Sequence, residues 1–325
     1  MLTSRPHGLP RAENFRLEQA ALPSLAPGEV LLRHVFLGLA PAARLRMSEV
    51  ASYAPPLPIG DVMPCQAVGY VVRSNDPKWR VGDQAVAMAG GWQEYSAHPG
   101  DSLVRADADL AHSTVWLGAL GTSGMTAYVG LREFGLPRPG ETVVVSAASG
   151  AVGSVAGQMA KLLGCRVVGV AGGAEKCAYV VQELGFDACV DYRAPEFEAL
   201  LRQACPQGVN VYFENVGGKV RDAVWPLMLR DGRVVLCGLI SEYNDAPEAG
   251  PGWFPILAKR LHLHGFILSD HLDRRPEFLR EMGQWIREGR IHPGREHVYD
   301  GIGSAVAGFV AMLQGGHLGK TLVKL

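Results

Sequence analysis

The chain has 325 residues, of which 48% are hydrophobic, so it is long enough for about two domains with substantial cores. Its formal net charge is −1 and it contains no basic block, so electrostatics gives no reason to expect a nucleic-acid or membrane partner. Residues 1–15 lack the apolar core of a secretory signal, and no apolar run reaches the roughly eighteen residues of a membrane span.

The first part of the chain, to about residue 120, is β-rich. Short strand-like runs alternate with turn signals such as Ala26-Pro27-Gly28 and Ser74-Asn75-Asp76-Pro77. The predicted strands lie at residues 29–36, 67–73, 84–88 and 93–97. Short strands joined by irregular turns predict a compact barrel.

From Gly121 the pattern changes to alternating helices and strands, beginning with a helix at 123–134. Strands are predicted at 142–145, 166–171, 188–190, 209–214, 232–237 and 262–267, and helices at 175–184, 195–204, 219–229 and 276–288. This alternation predicts a parallel sheet with helices on both faces. A last helix at 304–313 and a strand at 321–323 fall outside the alternation, and we expect that strand to return to the first domain.

The stretch TVVVSAASGAVG at 142–153 carries the clearest functional signal. A β-branched run is followed by a glycine turn and then by apolar residues at helical spacing. Such a turn brings free backbone N–H groups and the positive end of a helix dipole to an anion. With Ala148, Gly150 and Gly153 in the three glycine positions, the spacing is that of a dinucleotide-binding fingerprint.

The second strand of this region favours NADP over NAD. It ends in Ala171-Gly172-Gly173, where an NAD site usually has a carboxylate for the ribose hydroxyls. Lys176 supplies a cation in the first turn of the next helix, while Glu175 is the competing candidate for a ribose acid. In the alternative interpretation, Glu175 and Lys176 form only a solvated helix start.

Polar or glycine-rich segments follow three further strands, at 214–218, 237–244 and 266–269. Ligands of parallel sheets lie beyond the carboxyl ends of the strands, so these segments are predicted to border the site. Asn215 and Tyr243 offer hydrogen bonds there, although both could be ordinary turn and core residues.

Together these residues resemble the zinc-free medium-chain dehydrogenases/reductases. More narrowly, they resemble the leukotriene B4 12-hydroxydehydrogenase/prostaglandin reductase group, which includes NADPH-dependent double-bond reductases and curcumin reductase. The matching motifs run nearly end to end: SYAPPLPIGDVM at 52–63, GWQEY at 91–95, GTSGMTAYVGL at 121–131, AASGAVGS at 147–154, EKCAY at 175–179, YFENVGG at 212–218, CGLISEYN at 237–244 and LGKTLVK at 318–324. YFENVGG and CGLISEYN are specific to the group, whereas the fingerprint alone is not.

The resemblance implies an α/β fold in which a Rossmann doubly wound parallel sheet is inserted into a β-rich GroES-like barrel. It implies a substrate domain at 1–120, an NADP-binding domain at 121–288 and a return to the substrate domain at 289–325. It also implies a homodimer that takes a small enone or enal as substrate.

The resemblance also assigns roles, residue by residue. For the cofactor, the implied residues are Thr126, Gly150, Ala151, Val152, Gly153, Lys176, Tyr192, Asn215, Cys237, Gly238, Leu239, Ile240, Ser241, Phe266, Ile267, Leu268 and His317. For the substrate pocket they are Tyr53, Trp92 and Tyr243.

Two positions depart from the family pattern. Ala40-Pro41 stands where the family usually has Asp-Pro, and His317 stands where it usually has Asn. We expect His317 to face the cofactor cleft, with a solvent-exposed turn histidine as the alternative.

The implied reaction is hydride transfer from NADPH to the β-carbon of an α,β-unsaturated ketone or aldehyde. The developing enolate needs a hydrogen-bond donor, and Tyr243 is the best-placed candidate because a phenol donates strongly while staying neutral. The same phenol could instead bond the nicotinamide ribose and only position the cofactor.

Two alternatives remain, and a third is disfavoured. A quinone reductase on the same fold would also use NADPH, and a non-catalytic NADPH-binding protein could retain the fold. A zinc alcohol dehydrogenase requires cysteine and histidine ligands, but Cys65 is the only cysteine before Cys165, and His34, His98 and His112 are expected to be satisfied or surface histidines. The six scattered cysteines are expected to be reduced, buried thiols in a cytoplasmic protein.

Overall fold

A computed structural model describes residues 1–50, 52–244 and 249–325. The chain forms two compact units, one of Met1–Gly121 with Arg295–Leu325 and the other of Thr122–Gly294. No helix in the described ranges is both long enough and apolar enough to span a bilayer.

The strands, in chain order, are β1 Glu29–Gly38, β2 Gln66–Ser74, β3 Gln84–Ala87, β4 Tyr95–Pro99, β5 Leu103–Arg105, β6 Thr142–Ser146, β7 Arg166–Ala171, β8 Ala188–Asp191, β9 Val209–Glu214, β10 Met228–Leu236, β11 His262–Gly265, β12 Glu296–Asp300 and β13 Lys320–Lys324. The α-helices are α1 Thr122–Val129, α2 Gly153–Leu162, α3 Ala174–Gln182, α4 Phe197–Ala204, α5 Gly218–Val224, α6 Trp253–Lys259, α7 Arg275–Arg287 and α8 Ala305–Leu313.

The first unit is built on a seven-stranded sheet in the order β12-β13-β1-β2-β3-β5, with β4 also paired to β1. The C-terminal strand β13 runs antiparallel to β1, with Phe36 opposite Lys324. Gly69 sits opposite an irregularity in β1, where a Cβ would lie 2.1 Å from the Arg33 carbonyl oxygen. Only glycine therefore allows β1 and β2 to approach this closely.

The second unit contains a six-stranded sheet in the order β11-β10-β9-β6-β7-β8, and every pair in it is parallel. Helices cover both faces of this sheet. The consecutive residues Tyr212 and Phe213 of β9 show this, since their side chains point to opposite faces. Tyr212 packs in the cluster that contains Phe197 of α4 and Val220 of α5. Phe213 packs against Gly130, just after α1. The predicted α/β fold class is confirmed.

Strand order reverses between β6 and β9, since β7 and β8 lie on one side of β6 and β10 and β11 lie beyond β9. This reversal is the switch point at which ligands of such sheets usually bind. All five residues of β6 are buried, as its β-branched composition predicts.

Some boundaries differ from the prediction. The helix predicted over 219–229 ends as α5 at Val224, because Pro226 lacks the N–H that would continue it, and strand β10 begins at Met228. The helix predicted over 123–134 continues after α1 as a wider π-type turn at Gly130–Gly135. Helix α6 and strands β5 and β12 were not predicted.

Candidate cofactor and active site

The fingerprint turn between β6 and α2 is sterically suited to an anion. Ala147 has a left-handed φ of 47°, and the Ala148 N–H donates to the Val170 carbonyl at 3.0 Å. A Cβ on Gly153 would lie 2.4 Å from the Ala147 carbonyl oxygen, so this position requires glycine. The turn therefore brings the first amides of α2 to the edge of the sheet, where a pyrophosphate would bind.

A group of cations lies beyond the ends of β7 and β8. Gly172 leaves room for the Tyr192 ring, because a Cβ there would lie 2.8 Å from that ring. Arg193 and Lys219 flank the same ring, with their charged ends 5.7 Å and 5.5 Å from its centroid. Burial, and then the charge of Arg193, lowers the pKa of Lys176. Cations crowded in this way favour a bound anion.

Asp191 fixes the backbone beneath these cations. Its Oδ1 accepts from the Gly173 N–H at 2.8 Å and from the Arg193 N–H at 2.9 Å. The carboxylate thus joins the loop after β7 to the loop after β8. Asp191 lies at the end of β8, whereas the ribose carboxylate of an NAD site usually follows the strand that corresponds to β7.

Asn215 is held at the switch point. Its Nδ2 donates to the Ser146 carbonyl at 2.8 Å, and its backbone N–H donates to Ser146 Oγ at 2.7 Å. The adjacent Glu214 is fully buried and accepts from the Ser146 hydroxyl at 2.8 Å, the Tyr212 hydroxyl at 2.5 Å and the Val216 N–H at 2.7 Å. This network locks the ends of β6 and β9 together.

The loop after β10 folds back onto the loop after β9. The Ile240 N–H donates to the Asn215 carbonyl at 3.2 Å, and the Ser241 N–H donates to the Val216 carbonyl at 3.0 Å. Arg221 of α5 forms a largely buried ion pair with Glu242 at 3.1 Å. These contacts anchor the residue immediately before Tyr243.

Tyr243 turns back toward the sheet edge. Its hydroxyl lies 3.2 Å from the position that a Cβ on Gly238 would occupy. The glycine therefore makes room for the phenol, and both residues lie in the loop that is bonded to Asn215. Burial, and then the charge of Glu214, raises the pKa of the neighbouring Cys237 thiol to about 12, which keeps it neutral.

The remaining residues implied for the cofactor side of this unit lie on separate elements. Thr126 is on α1, and Ile267 and Leu268 follow β11. Phe266 is packed against Phe134, with ring centroids 5.2 Å apart. Their roles toward a cofactor stay predictions.

The two substrate-pocket residues implied in the first unit have different surroundings. Tyr53 is 56% exposed. Trp92 is buried in a core cluster, stacked on Phe15 at 5.6 Å and edge-on to Phe309 at 5.4 Å. These contacts give Trp92 a packing role, and its contact with substrate stays a prediction.

His317 makes close contacts within the first unit. Its Nε2 is 2.8 Å from the Tyr299 hydroxyl, its Nδ1 is 3.3 Å from Thr321 Oγ1, and its ring stacks on His297 at 4.1 Å. These contacts fix the imidazole locally. Its predicted orientation toward a cofactor is untested by them.

The histidines considered as zinc ligands are hydrogen bonded to protein groups. His34 contacts the Gln93 carbonyl at 2.8 Å and Ser96 Oγ at 2.7 Å; the same hydroxyl is 2.6 Å from His98. His112 contacts Thr114 Oγ1 at 2.9 Å. Within the described part of the chain, no group of three or more potential ligand side chains is placed to hold a metal, and zinc independence stays a prediction.

Three site residues were missed by the sequence reasoning. Arg193 and Lys219 join the cation group from the ends of other strands, and Glu214 forms the buried network. Arg193 directly follows Tyr192 at the end of β8, so its position beside the predicted NADP site was a usable signal. Glu214 gives no comparable signal in the sequence, because nothing in the sequence distinguishes a single carboxylate that becomes buried.

The parallel nucleotide-binding sheet and the accompanying β-rich unit define the class of medium-chain dehydrogenases/reductases. Residues 1–106 match the family described as the N-terminal domain of oxidoreductase, and residues 151–287 match the family described as zinc-binding dehydrogenase. These matches include the fingerprint helix α2 and strands β1 to β5 of the first sheet.

Individual relatives are similar over almost the whole chain. The NADPH-dependent curcumin reductase of Escherichia coli (strain K12) is 48% identical, covering 100% of this chain and 96% of its own. Prostaglandin reductase 1 of Rattus norvegicus is 40% identical, covering 98% of this chain and 95% of its own. The crystal structure of CurA in complex with NADPH from Vibrio vulnificus has a TM-score of 0.94 at 44% identity, covering 99% of this chain and 97% of its own.

The chain therefore belongs to the medium-chain dehydrogenase/reductase family, within the group that contains the prostaglandin and curcumin reductases. The family predicted from the sequence motifs is confirmed.

Proposed function

We propose that the protein uses NADPH to reduce the carbon–carbon double bond of α,β-unsaturated ketones and aldehydes. The observation that carries this proposal is the position of Tyr243 against Gly238, in a loop bonded to Asn215 at the switch point of the sheet. The relatives' names confirm the prediction of an NADPH-dependent oxidoreductase.

The residues present fit NADP(H). The fingerprint turn closes only because position 153 is glycine, which supports pyrophosphate binding at the first amides of α2. Lys176, Arg193 and Lys219 supply the positive charge that a 2′-phosphate needs around Tyr192.

When bound, NADPH supplies the hydride that adds to the β-carbon of the substrate. The addition moves negative charge onto the carbonyl oxygen, so a donor at that oxygen lowers the barrier. The Tyr243 phenol takes this role because it lies at the sheet edge. A neutral phenol keeps its O–H hydrogen and can donate it in a hydrogen bond to the carbonyl oxygen. Asn215 and the Arg221–Glu242 pair position the loop that carries it.

The test follows NADPH oxidation with 2-alkenals, α,β-unsaturated ketones and quinones, in the wild type and in Tyr243→Phe. We expect enone reduction by the wild type and a roughly tenfold to hundredfold lower single-turnover rate in the variant, with NADPH affinity little changed. Tyr70→Phe is the matched control, because the Tyr70 side chain on strand β2 is 45% exposed, and this variant should behave as the wild type.

Two outcomes would contradict the proposal. A wild type that reduces quinones but no enone supports the quinone-reductase alternative. A Tyr243→Phe variant with wild-type single-turnover rates removes Tyr243 as the enolate donor while leaving the reaction itself in place.

We further propose that the NADP-binding role belongs to residues 121–288 and the substrate role to residues 1–120 with 289–325. A cytoplasmic location is supported by the six cysteines, all of which are free thiols.

A homodimer is supported by the edge of the second unit. Strand β11 is the last strand of the sheet, and its Leu263 is 37% exposed. Helix α6 exposes Trp253, Phe254 and Leu257 by 75% or more. An open strand edge and exposed apolar side chains are both features that a second copy can cover.

A further inference from the structure

Cys177 and Cys189 bring their sulfur atoms to 3.1 Å, although twelve positions separate them in the chain. Cys177 lies in the first turn of α3, where its N–H donates to the Gly173 carbonyl at 3.2 Å. Cys189 lies in β8 opposite Gly169, and its Sγ is 3.3 Å from the position that a Cβ on Gly169 would take. Both side chains are half-buried.

We propose that Cys177 and Cys189 are a redox-active thiol pair that a hydroperoxide oxidises to a disulfide, weakening NADPH binding. A disulfide S–S bond is about 2.05 Å long, so the sulfurs must approach by about 1 Å. Rotation of the two half-buried side chains supplies part of this movement, and a small shift of α3 toward β8 supplies the rest.

The two thiols are not equivalent. The Cys189 S–H donates to Cys177 Sγ, and this hydrogen bond lowers the pKa of Cys177 while raising that of Cys189. The N-terminal turn of α3 further favours a thiolate at Cys177. Cys177 is therefore the attacking sulfur and Cys189 the resolving one.

The chemistry balances in two steps. The Cys177 thiolate attacks the hydroperoxide, the O–O bond breaks, an alcohol leaves after taking up a proton, and Cys177 becomes a sulfenic acid. The Cys189 sulfur then attacks that sulfur; the S–S bond forms, the S–O bond breaks, and water leaves with the Cys189 proton. The two thiols are oxidised and the hydroperoxide is reduced to alcohol and water.

The pair is connected to the proposed adenosine phosphate site at both ends. Cys177 directly follows Lys176, and Cys189 precedes by two residues the Asp191 that holds the Gly173 and Arg193 amides at 2.8 Å and 2.9 Å. A disulfide would draw α3 and β8 together and move Lys176 relative to Arg193. This consequence rests on the proposed NADP site, whereas disulfide formation does not.

The test treats the intact, cofactor-free protein with tert-butyl hydroperoxide and analyses thiols and peptides by mass spectrometry. We expect a linked Cys177–Cys189 peptide in the wild type and a sulfenic acid at Cys177, trapped by dimedone, in Cys189→Ser. Cys177→Ser and Cys177→Ala should form neither product. The matched control Cys205→Ser, which removes a buried thiol elsewhere in the unit, should form the linked peptide.

NADPH and NADH affinities are then compared before and after oxidation. We expect oxidation to weaken NADPH binding by about tenfold, as for the loss of a hydrogen bond to a charged group, with a smaller effect on NADH. Dithiothreitol should restore binding, and Cys177→Ala should be insensitive to the hydroperoxide.

Absence of the linked peptide would overturn the proposal, and a linked peptide with unchanged NADPH affinity would overturn its regulatory part. Enone turnover by the reduced wild type is measured separately. A failure of the proposed reaction is thereby distinguished from a failure of the thiol pair.

Discussion

Lys176 is one of several cations near the proposed phosphate site, and replacing it alone measures its own contribution to NADPH binding. We expect Lys176→Ala to weaken NADPH binding by about 1.5–3 kcal/mol, roughly tenfold or more, while NADH affinity stays nearly unchanged. Arg193→Ala should act in the same direction but less strongly, because Arg193 is exposed. Titration of both cofactors by fluorescence measures these losses.

The matched control for Lys176 is Lys161→Ala, since Lys161 is paired with Asp187 at 2.9 Å near the far end of α2. It should leave both affinities unchanged. Equal losses of NADPH and NADH in Lys176→Ala would contradict the assignment of Lys176 to the 2′-phosphate.

His34 predicts a pH dependence of stability. Burial lowers its pKa from 6.5 to about 4 in the folded protein. Between these pH values the unfolded chain binds the proton more readily than the folded protein does. The contribution of neutral His34 to the free energy of unfolding is therefore complete above about pH 6.5 and falls as the pH is lowered toward 4. The loss is at most about 1.4 kcal/mol per pH unit.

Urea unfolding of the wild type and of His34→Gln between about pH 7.5 and 5 tests this dependence. The wild-type advantage in free energy of unfolding should shrink as the pH falls. A difference that stays constant over this range would show that His34 does not titrate as described.

At the scale of elements, the fingerprint turn depends on the absence of a side chain at position 153. A Cβ there would meet the Ala147 carbonyl at 2.4 Å, and a backbone atom cannot move aside as a flexible side chain can. We expect Gly153→Ala to lower the free energy of unfolding by about 1–3 kcal/mol and to weaken NADPH binding.

Gly303→Ala is the matched control, because nothing lies within 4 Å of a Cβ at that position. Thermal unfolding and NADPH titration compare the two variants. Wild-type stability and affinity in Gly153→Ala would mean that the turn relaxes without cost.

At the scale of the whole molecule, the proposed homodimer depends on α6 and β11. Leu257→Glu should convert a species of twice the 34.9 kDa chain mass into a monomer, because it places a charge among exposed apolar side chains. Light scattering after size exclusion measures the mass. Leu200→Glu, at a 40% exposed position on α4, should remain dimeric, and a monomeric wild type would refute the proposal.

The sequence alone determined the fold class, the family and the order of most elements. Strands β7 and β9 were predicted at their observed bounds because β-branched runs between turn signals are local features. The NADP preference also came from a local pattern, the missing carboxylate after β7 together with Lys176.

Only the tertiary structure decided which residues meet. Lys219 of α5 and Tyr192, which follows β8, are far apart in the chain, and the packing of the unit brings the Lys219 ammonium to 5.5 Å from the Tyr192 ring. The Glu214 network and the Cys177–Cys189 contact likewise join residues from separate elements. Sequence patterns record local backbone preferences, whereas these contacts depend on the register and order of a parallel sheet, which are set by packing across the whole unit.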